Sequence, residues 1–164
     1  MSHPIRPATP ADAPAIVALL PRLAAFEVPN GRAPEELWRD DRALVLAWAE
    51  GGRGDVDVAV ATDADGEGGG GGNGGEVIGV AVISERRELL SGEPSAHLEI
   101  LAVHERAEGS GTGSALLAEG ERMARRRGLG SISLHVFAAN RRALRLYERC
   151  GFDAELLRCF KRLG

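Results

Sequence analysis

The chain has 164 residues, a length that fits one domain with a single hydrophobic core, over residues 1–164. Its 44% hydrophobic and 27% charged residues are typical of a soluble globular protein, and its net charge of −4 argues against nucleic acid as the main partner. No apolar run approaches the roughly 20 residues of a membrane span, and MSHPIRPAT lacks the apolar core of a signal peptide. Cys150 and Cys159 show no metal-ligand spacing, so we expect no metal, no membrane and a reduced, cytoplasmic setting.

The first third of the chain predicts one strand and two helices. Residues 5–9 predict a short strand, and Thr9-Pro10-Ala11-Asp12 is typical of a helix start, with Thr9 as N-cap. Pro21 is expected to kink or shorten this first helix. A second helix is predicted from Pro34 to about Glu50, ended by Gly51-Gly52. These two helices are expected to cover a substrate site.

A hairpin is predicted next. Residues 56–60 alternate apolar and other residues, which indicates a half-buried strand, and residues 77–83 form its partner. Between them, residues 63–76 (DADGEGGGGGNGGE) have almost no side chains to bury, which predicts a flexible, glycine-rich hairpin loop. Residues 84–95 are polar and are expected to connect to the following strand.

A strand, a glycine loop and a helix start follow one another between Leu98 and Ala118. This geometry binds phosphates, because the first N–H groups of a helix have no internal partner and carry partial positive charge. The spacing is not G-x-G-x-x-G and no Gly-Lys-Ser/Thr occurs, which argues against a dinucleotide fold and excludes a P-loop. The alternative is a turn that merely joins strand to helix. The helical pattern begins at Ala115, after the loop residues Gly109, Ser110, Gly111, Thr112, Gly113 and Ser114.

The C-terminal part predicts two helices and further strands. The third helix buries one face and is expected to end at Gly128. Residues 131–137 alternate as a strand, and Asn140 caps a last helix that runs to Cys150. Residues 152–163 are expected to form one or two final strands. The resulting order, β-α-α-β-β-β-α-β-α-β, is a mixed α/β (α+β) fold with long antiparallel stretches.

The last helix carries a second motif, NRRALRLYERCGF. Asn140 and Tyr147 are seven residues apart, so they lie on nearly one face with the small Ala143 between them. Tyr147 is the only tyrosine in the chain. Taken alone, it is more typical of a core aromatic residue whose hydroxyl lies at the edge.

The glycine loop, the following strand and N-x-x-A-x-x-L-Y-E-x-x-G-F together resemble the GNAT superfamily of acetyl-CoA-dependent N-acetyltransferases. The opening IRPATPADAPAIVALL also resembles the first strand and helix of that family. The resemblance implies a largely antiparallel central sheet flanked by helices, in which two strands splay apart to form the acyl-CoA cleft. It implies acetyl-CoA and an amine as the two substrates, and a homodimer through the C-terminal strands.

The resemblance also implies a role for each motif residue. Backbone N–H groups from Gly109 to Ser114 would bind the pyrophosphate of coenzyme A, and the strand residues Leu101, Ala102 and Val103 would lie along the pantetheine arm. Asn140 and Ala143 would face that arm, and Tyr147 would lie beside the sulfur as general acid. A phenol suits that role, because its reference pKa of roughly 10 keeps it protonated at neutral pH.

The acceptor amine must lose a proton, and Glu99 is the candidate base, directly or through a water. His97, His135 and a role for Glu99 as a solvated strand residue remain alternatives. At the loop, Glu108 stands where the family usually has Arg or Gln, so a carboxylate would lie beside the pyrophosphate unless it turns to solvent. We expect Glu108→Arg to tighten coenzyme A binding. Two rival functions remain: a regulatory module that holds acyl-CoA without turnover, and a doubly wound nucleotide-binding domain.

Overall fold

The computed structural model describes residues 3–63 and 75–164, so the predicted hairpin loop of residues 63–76 lies outside the described residues except at its ends. Five strands and four α-helices are described in this part of the chain: β1 Ile5–Pro7, α1 Ala13–Leu19, α2 Arg39–Ala49, β2 Val56–Asp63, β3 Glu76–Arg87, β4 Pro94–Val103, α3 Thr112–Arg126, β5 Ile132–Leu134 and α4 Arg141–Arg149. Short 3-10 turns lie at Pro10–Asp12, Leu20–Ala24, Pro29–Gly31, Pro34–Leu37 and Glu105–Ala107.

The strands form one sheet in the order β1-β2-β3-β4-β5. Every neighbouring pair is antiparallel except β4 and β5, which run parallel. The predicted mixed, largely antiparallel sheet is therefore confirmed. Since α3 connects β4 to β5, this crossover helix explains how the last pair comes to be parallel.

The sheet is buried on both faces, which corrects the prediction of a half-buried strand at residues 56–60. One face packs against α1 and α2 through Ile16, Leu19 and Val45. The other packs against α3 through Leu116, Leu117 and Met123. Small alanines on β2 and β3 occupy the α3 side, where they are fully buried, so their alternation with valine does not mark a solvent face: Ala59, Ala61 and Ala81.

Half of the connection predicted for residues 84–95 is instead strand. β3 continues to Arg87 and β4 already begins at Pro94, with Arg87 paired to Pro94. The polar residues there extend the hairpin beyond the core, since backbone pairing does not require apolar side chains. Only residues 88–93 remain as the turn.

The two N-terminal helices begin as proline predicts, but their first turns are 3-10 rather than α. The Asp12 carboxylate accepts hydrogen bonds from the Thr9 backbone N–H at 2.7 Å and from the Arg6 guanidinium at 2.8 Å. α1 ends at Leu19, just before Pro21, and the chain continues as a 3-10 turn, so the predicted shortening is confirmed. The second helix opens with a 3-10 turn at Pro34 and becomes α-helical at Arg39.

No strand forms after α4 among the described residues, so the one or two strands predicted for residues 152–163 are wrong. Leu156 and Leu157 are both largely exposed and do not alternate. Side chains hold this segment instead: the Arg162 guanidinium donates to the Asn30 carbonyl at 3.0 Å, and the Arg32 guanidinium lies 4.5 Å from the Phe160 ring centre. The predicted homodimer loses the strands on which it rested, and dimerisation stays a prediction.

Within residues 3–63 and 75–164, no helix is both long and apolar enough to cross a lipid bilayer.

Candidate acyl-transfer site

A cleft opens where β4 and β5 part. The two strands pair only from Ala96–Ile132 to Leu98–Leu134, after which β5 ends while β4 continues to Val103 along β3. One edge of β4 therefore lacks a strand partner beyond Leu98 among the described residues. The splayed strand pair predicted from the resemblance is thus present. The resulting cleft has a volume of about 160 Å³ and is lined by Arg22, Leu23, Phe26, Leu37, Asp41, Leu98, Glu99, Leu101, His135, Val136, Phe137, Asn140, Ala143 and Tyr147.

Glu99 lies at a β-bulge. Val82 pairs with Ile100 and Ile83 with Leu98, so Glu99 is an extra residue on β4, and a bulge of this kind redirects a side chain. Its carboxylate is occupied: the Arg86 guanidinium contacts Oε1 at 2.6 Å and Oε2 at 2.8 Å, and the Ser84 hydroxyl also donates to Oε1. Glu99 therefore lines the predicted cleft, but with both oxygens engaged.

Asp41, on α2, is a second carboxylate of the cleft and was not among the sequence candidates. It is half-buried, and its carboxylate makes no hydrogen bond or ion pair with the described residues. Burial, reinforced by the negative charge of Glu99, raises the pKa of Asp41 to about 7. The sequence does not distinguish Asp41 as a site residue, because acidic residues such as Asp40 and Asp41 are common in the first turn of a helix, where they complement the helix dipole.

α4 brings three predicted residues to the cleft together. The Asn140 Oδ1 accepts a hydrogen bond from the Ala143 N–H at 3.1 Å, so the predicted cap is confirmed. Asn140, Ala143 and Tyr147 all line the cleft, as their spacing predicts. The Tyr147 ring packs edge-on against Phe152 with centroids 5.9 Å apart. Burial raises the pKa of Tyr147 to about 12, and its hydroxyl forms no hydrogen bond with the described residues.

The two histidines considered as bases differ in setting. His97 is 6% exposed, its Nδ1 lies 2.9 Å from the Ser133 hydroxyl, and burial lowers its pKa to about 4. His135 lines the cleft and contacts His97, with ring centroids 4.8 Å apart and the rings tilted by 56°. The His97–Ser133 contact joins β4 to β5 just before the strands separate, which favours a structural role for His97.

The glycine loop leaves its backbone donors free. Gly109 (φ 76°) and Gly111 (φ 86°) adopt the left-handed conformation, and a Cβ on either would meet open space. α3 begins at Thr112, three residues before the predicted Ala115, because Ala115 N–H already bonds the Gly111 carbonyl. None of the six N–H groups from Gly109 to Ser114 donates to another described residue. They form a concentration of unpaired donors at a helix N-terminus, as an anion requires.

The polar side chains of the loop form hydrogen bonds within the loop and its flanking turn. The Ser110 hydroxyl donates to the Ala107 carbonyl at 2.6 Å and lies 2.7 Å from the buried Thr112 hydroxyl. A Cβ on Gly113 would lie 3.3 Å from Leu146, so glycine there allows α3 to approach α4 closely. The predicted contributions of these residues to a ligand are therefore those of the backbone.

Glu108 does not turn to solvent. Its carboxylate pairs with the Arg22 guanidinium at 2.5 Å and with that of Arg142, which together lower its pKa against the opposing effect of burial. Arg106, two residues away, pairs with Glu76 at 2.5 Å and so faces the β2–β3 hairpin. The unfavourable carboxylate beside the loop is thus accompanied by two cations that the sequence did not reveal.

A larger depression, of about 360 Å³, lies at the N-terminal end of β2, between α2 and α3. Its charged residues pair among the described residues, Arg127 with Asp57 at 2.6 Å and Arg126 with Glu119 at 3.0 Å. These charged side chains are therefore less available to a ligand than the unpaired Asp41 carboxylate of the smaller cleft. No group of three or more His, Cys, Asp or Glu side chains in the described ranges is placed to hold a metal ion.

Comparison with known proteins agrees with this geometry. Residues 23–152 match the model of the acetyltransferase (GNAT) family. A mycothiol acetyltransferase of Propionibacterium freudenreichii is 41% identical over 62 residues, which are 38% of this chain and 20% of that protein. The chain spans about a fifth of the length of the curated relatives it matches.

Solved structures match over nearly the whole chain. A transcriptional regulator from Bacillus halodurans is 26% identical, with a TM-score of 0.69 and coverage of 98% of this chain and 99% of that one. The enzyme AAC(6')-Iy, in complex with a coenzyme A bisubstrate analogue, is 19% identical, with a TM-score of 0.68 and coverage of 98% and 97%. With 130 of its 164 residues in the family match, the chain belongs to the GNAT acetyltransferase family.

Proposed function

We propose that the protein transfers the acetyl group of acetyl-CoA directly to a primary amine. The observation that carries this proposal is the cleft between β4 and β5, which Tyr147 lines from α4. Membership of the GNAT family supports acetyl-CoA as the donor. The partial likeness to mycothiol acetyltransferases does not narrow the acceptor, because it covers 38% of this chain.

Coenzyme A fits the free backbone donors of this site. Its pyrophosphate would accept hydrogen bonds from the N–H groups of residues 109–114, where the helix dipole also favours negative charge. Its pantetheine arm would extend along Leu101, Ala102 and Val103, the stretch of β4 that β5 leaves unpaired. Asn140 and Ala143 would border the arm from α4.

The reaction forms a C–N bond and breaks a C–S bond. The free amine attacks the thioester carbonyl, and a backbone N–H of the Leu101–Val103 segment would stabilise the oxyanion. The tetrahedral intermediate then expels the thiolate. Before attack, an acceptor ammonium must lose a proton, and the cleft offers two carboxylates for it, Glu99 and Asp41.

Tyr147 would protonate the leaving sulfur. A pKa of about 12 keeps the phenol protonated at every physiological pH, so it is available as a donor. Such a phenol is a weaker acid than a free thiol, whose reference pKa is roughly 8.5, and transfer to a solvated thiolate would be unfavourable. A thiolate in the same buried cleft has its own pKa raised by desolvation, which brings the two groups closer together.

The alternative is a module of the same fold that binds acyl-CoA and regulates a partner. The likeness to a Bacillus halodurans transcriptional regulator favours it, and the cleft residues Tyr147 and Asp41 favour catalysis. The test is release of thiol from acetyl-CoA in the presence of ethylamine, spermidine, glucosamine or a short peptide. Amine-dependent release supports the transferase, whereas coenzyme A binding without release from any amine supports the module. Absence of coenzyme A binding in calorimetry refutes both.

A further inference from the structure

Asp41 places an unengaged carboxylate in the acyl-transfer cleft. It extends from the first turn of α2, on the side of the sheet that α1 and α2 cover, and lines the cleft together with Glu99 and Tyr147. The two carboxylates differ in whether they already have hydrogen-bond or ion-pair partners. Glu99 is held by Arg86 and Ser84, whereas the Asp41 carboxylate makes no hydrogen bond or ion pair with the described residues. Asp41 therefore has the free oxygen lone pairs that accepting a proton requires.

We propose that Asp41 is the base that deprotonates the acceptor, and that the acceptor is a primary amine arriving as an ammonium ion between Asp41 and Glu99. This inference rests on the proposed acetyl transfer. Two carboxylates in one small cleft repel each other, and a cation placed between them relieves that repulsion. The cleft thus favours a protonated amine over a neutral nucleophile such as an alcohol.

Each proton of the reaction has a donor and an acceptor in the cleft. The ammonium transfers one proton to Asp41, and the free amine then attacks the thioester carbonyl. As the C–S bond breaks, the sulfur takes the phenolic proton of Tyr147. The nitrogen, now bonded to the acetyl group, loses its second proton to the Tyr147 oxygen, which restores the phenol. Asp41 finally releases its proton to solvent as the amide leaves.

The charges around Asp41 set the pH at which this step operates. Burial and then Glu99 raise its pKa, with a smaller contribution from Asp40 and an opposing one from Arg86. Arg22, His135 and Tyr147 also line the cleft. With a pKa of about 7, close to half of the Asp41 side chains are ionised at neutral pH, and such a base balances availability against proton affinity.

Two probe amines test the assignment. Ethylamine is an ammonium ion at neutral pH, whereas 2,2,2-trifluoroethylamine is largely unprotonated there and needs no base before attack. For Asp41→Asn we expect kcat/KM for ethylamine to fall by about 10²- to 10⁴-fold, the usual contribution of a general base. The variant should act on trifluoroethylamine at a rate comparable to wild type, with unchanged coenzyme A affinity. Its thermal unfolding should occur at the same or a higher temperature, because the raised pKa of Asp41 means that its ionised form is unfavourable in the fold.

The matched control is Asp40→Asn, the same change at the exposed neighbour on the same helix. It should keep the maximal rate with ethylamine while moving the midpoint of the pH profile slightly to lower pH, because Asp40 contributes to the raised pKa of Asp41. Glu99→Gln should move this midpoint further in the same direction.

The outcomes separate the two proposals. If wild type releases no thiol with these two amines or with spermidine, glucosamine or the short peptide, the proposed acetyl transfer fails, and the role of Asp41 fails with it. If wild type is active but Asp41→Asn matches Asp40→Asn with ethylamine, only the assignment of Asp41 is overturned. Equal losses with both amines would also overturn it, since they would show that Asp41 acts on something other than the ammonium proton.

Discussion

Replacing Tyr147 by phenylalanine removes the proposed proton donor and little else. The ring packs on Phe152, a contact that phenylalanine preserves, and the hydroxyl has no hydrogen-bond partner among the described residues. Loss of an unpaired hydroxyl leaves no buried partner unsatisfied, so the free energy of unfolding should change by less than about 1 kcal/mol. Coenzyme A affinity should also change little, because the N–H groups proposed to bind its pyrophosphate lie in the glycine loop.

The rate, by contrast, should fall steeply. A positioned general acid contributes about 10²- to 10⁴-fold, which corresponds to roughly 3 to 5 kcal/mol of transition-state free energy. The measurement is amine-dependent thiol release by Tyr147→Phe and wild type at saturating acetyl-CoA, with coenzyme A affinity from calorimetry. Equal turnover would remove Tyr147 from the mechanism. A loss of affinity as large as the loss of rate would instead assign it to cofactor binding.

The same residue allows a direct check of its burial. Since Tyr147 is the only tyrosine, the ultraviolet absorbance of phenolate reports its titration alone. We expect a midpoint near pH 12, and stability should fall as pH rises above roughly 10, where the unfolded chain begins to release this proton. A midpoint at the reference value would show that the phenol is solvated, and the argument for a desolvated cleft would fail.

Three further perturbations address the loop and the strand junction. Glu108→Gln should tighten coenzyme A binding in calorimetry by releasing Arg22 and Arg142 to the anion. Tighter binding is also predicted for Glu108→Arg, but there a third guanidinium would be repelled by Arg22 and Arg142. Weaker coenzyme A binding by both variants would contradict this account of the loop. Gly111→Ala should cost about 1 to 2 kcal/mol of stability and also weaken coenzyme A binding, whereas Gly92→Ala, with φ 72° in a distant turn, should carry only the stability cost. Burial lowers the pKa of His97 to about 4, so its contribution to the unfolding free energy is lost as pH drops below roughly 6.5. Asp41, whose pKa is raised, acts in the opposite sense, so the comparison is between wild type and His97→Gln in urea: the difference in their unfolding free energies should change with pH below roughly 6.5 and stay constant above it.

Local chemistry made much of the site predictable from sequence. Asn140 caps a helix because its side chain is short and polar, and Tyr147 follows on the same face because helical geometry fixes seven-residue spacing. Glycine at 109 and 111 marks left-handed backbone, which the structure adopts at both. These features depend on neighbours within a few residues, so the sequence pattern contains most of the information.

Features that depend on contacts between distant segments were not predictable in this way. In sequence, Glu108 was an unfavourable carboxylate beside the pyrophosphate unless it turned to solvent, and no partner for it was visible nearby. The fold supplies two, because α4 and the turn after α1 bring Arg142 and Arg22 to it. The strands predicted for the C-terminal segment were wrong because that segment pairs with no strand of the described sheet. Residues 152–163 contain apolar side chains that suit a strand, but pairing needs a free sheet edge, and the segment instead contacts Asn30 and Arg32.

Asp41 shows why the chemistry of this cleft requires the fold. In sequence, Asp40 and Asp41 are equivalent acidic residues in the first turn of a helix. The bulge at Glu99 places a second carboxylate on the side of the sheet that α2 covers, and only Asp41 of the pair lines the cleft with it. Their mutual repulsion is unfavourable for the empty protein, and an arriving ammonium ion would remove it. The arrangement is therefore better explained as a site for a cation than as a contribution to stability, which is why Asp41→Asn should impair the reaction without impairing the fold.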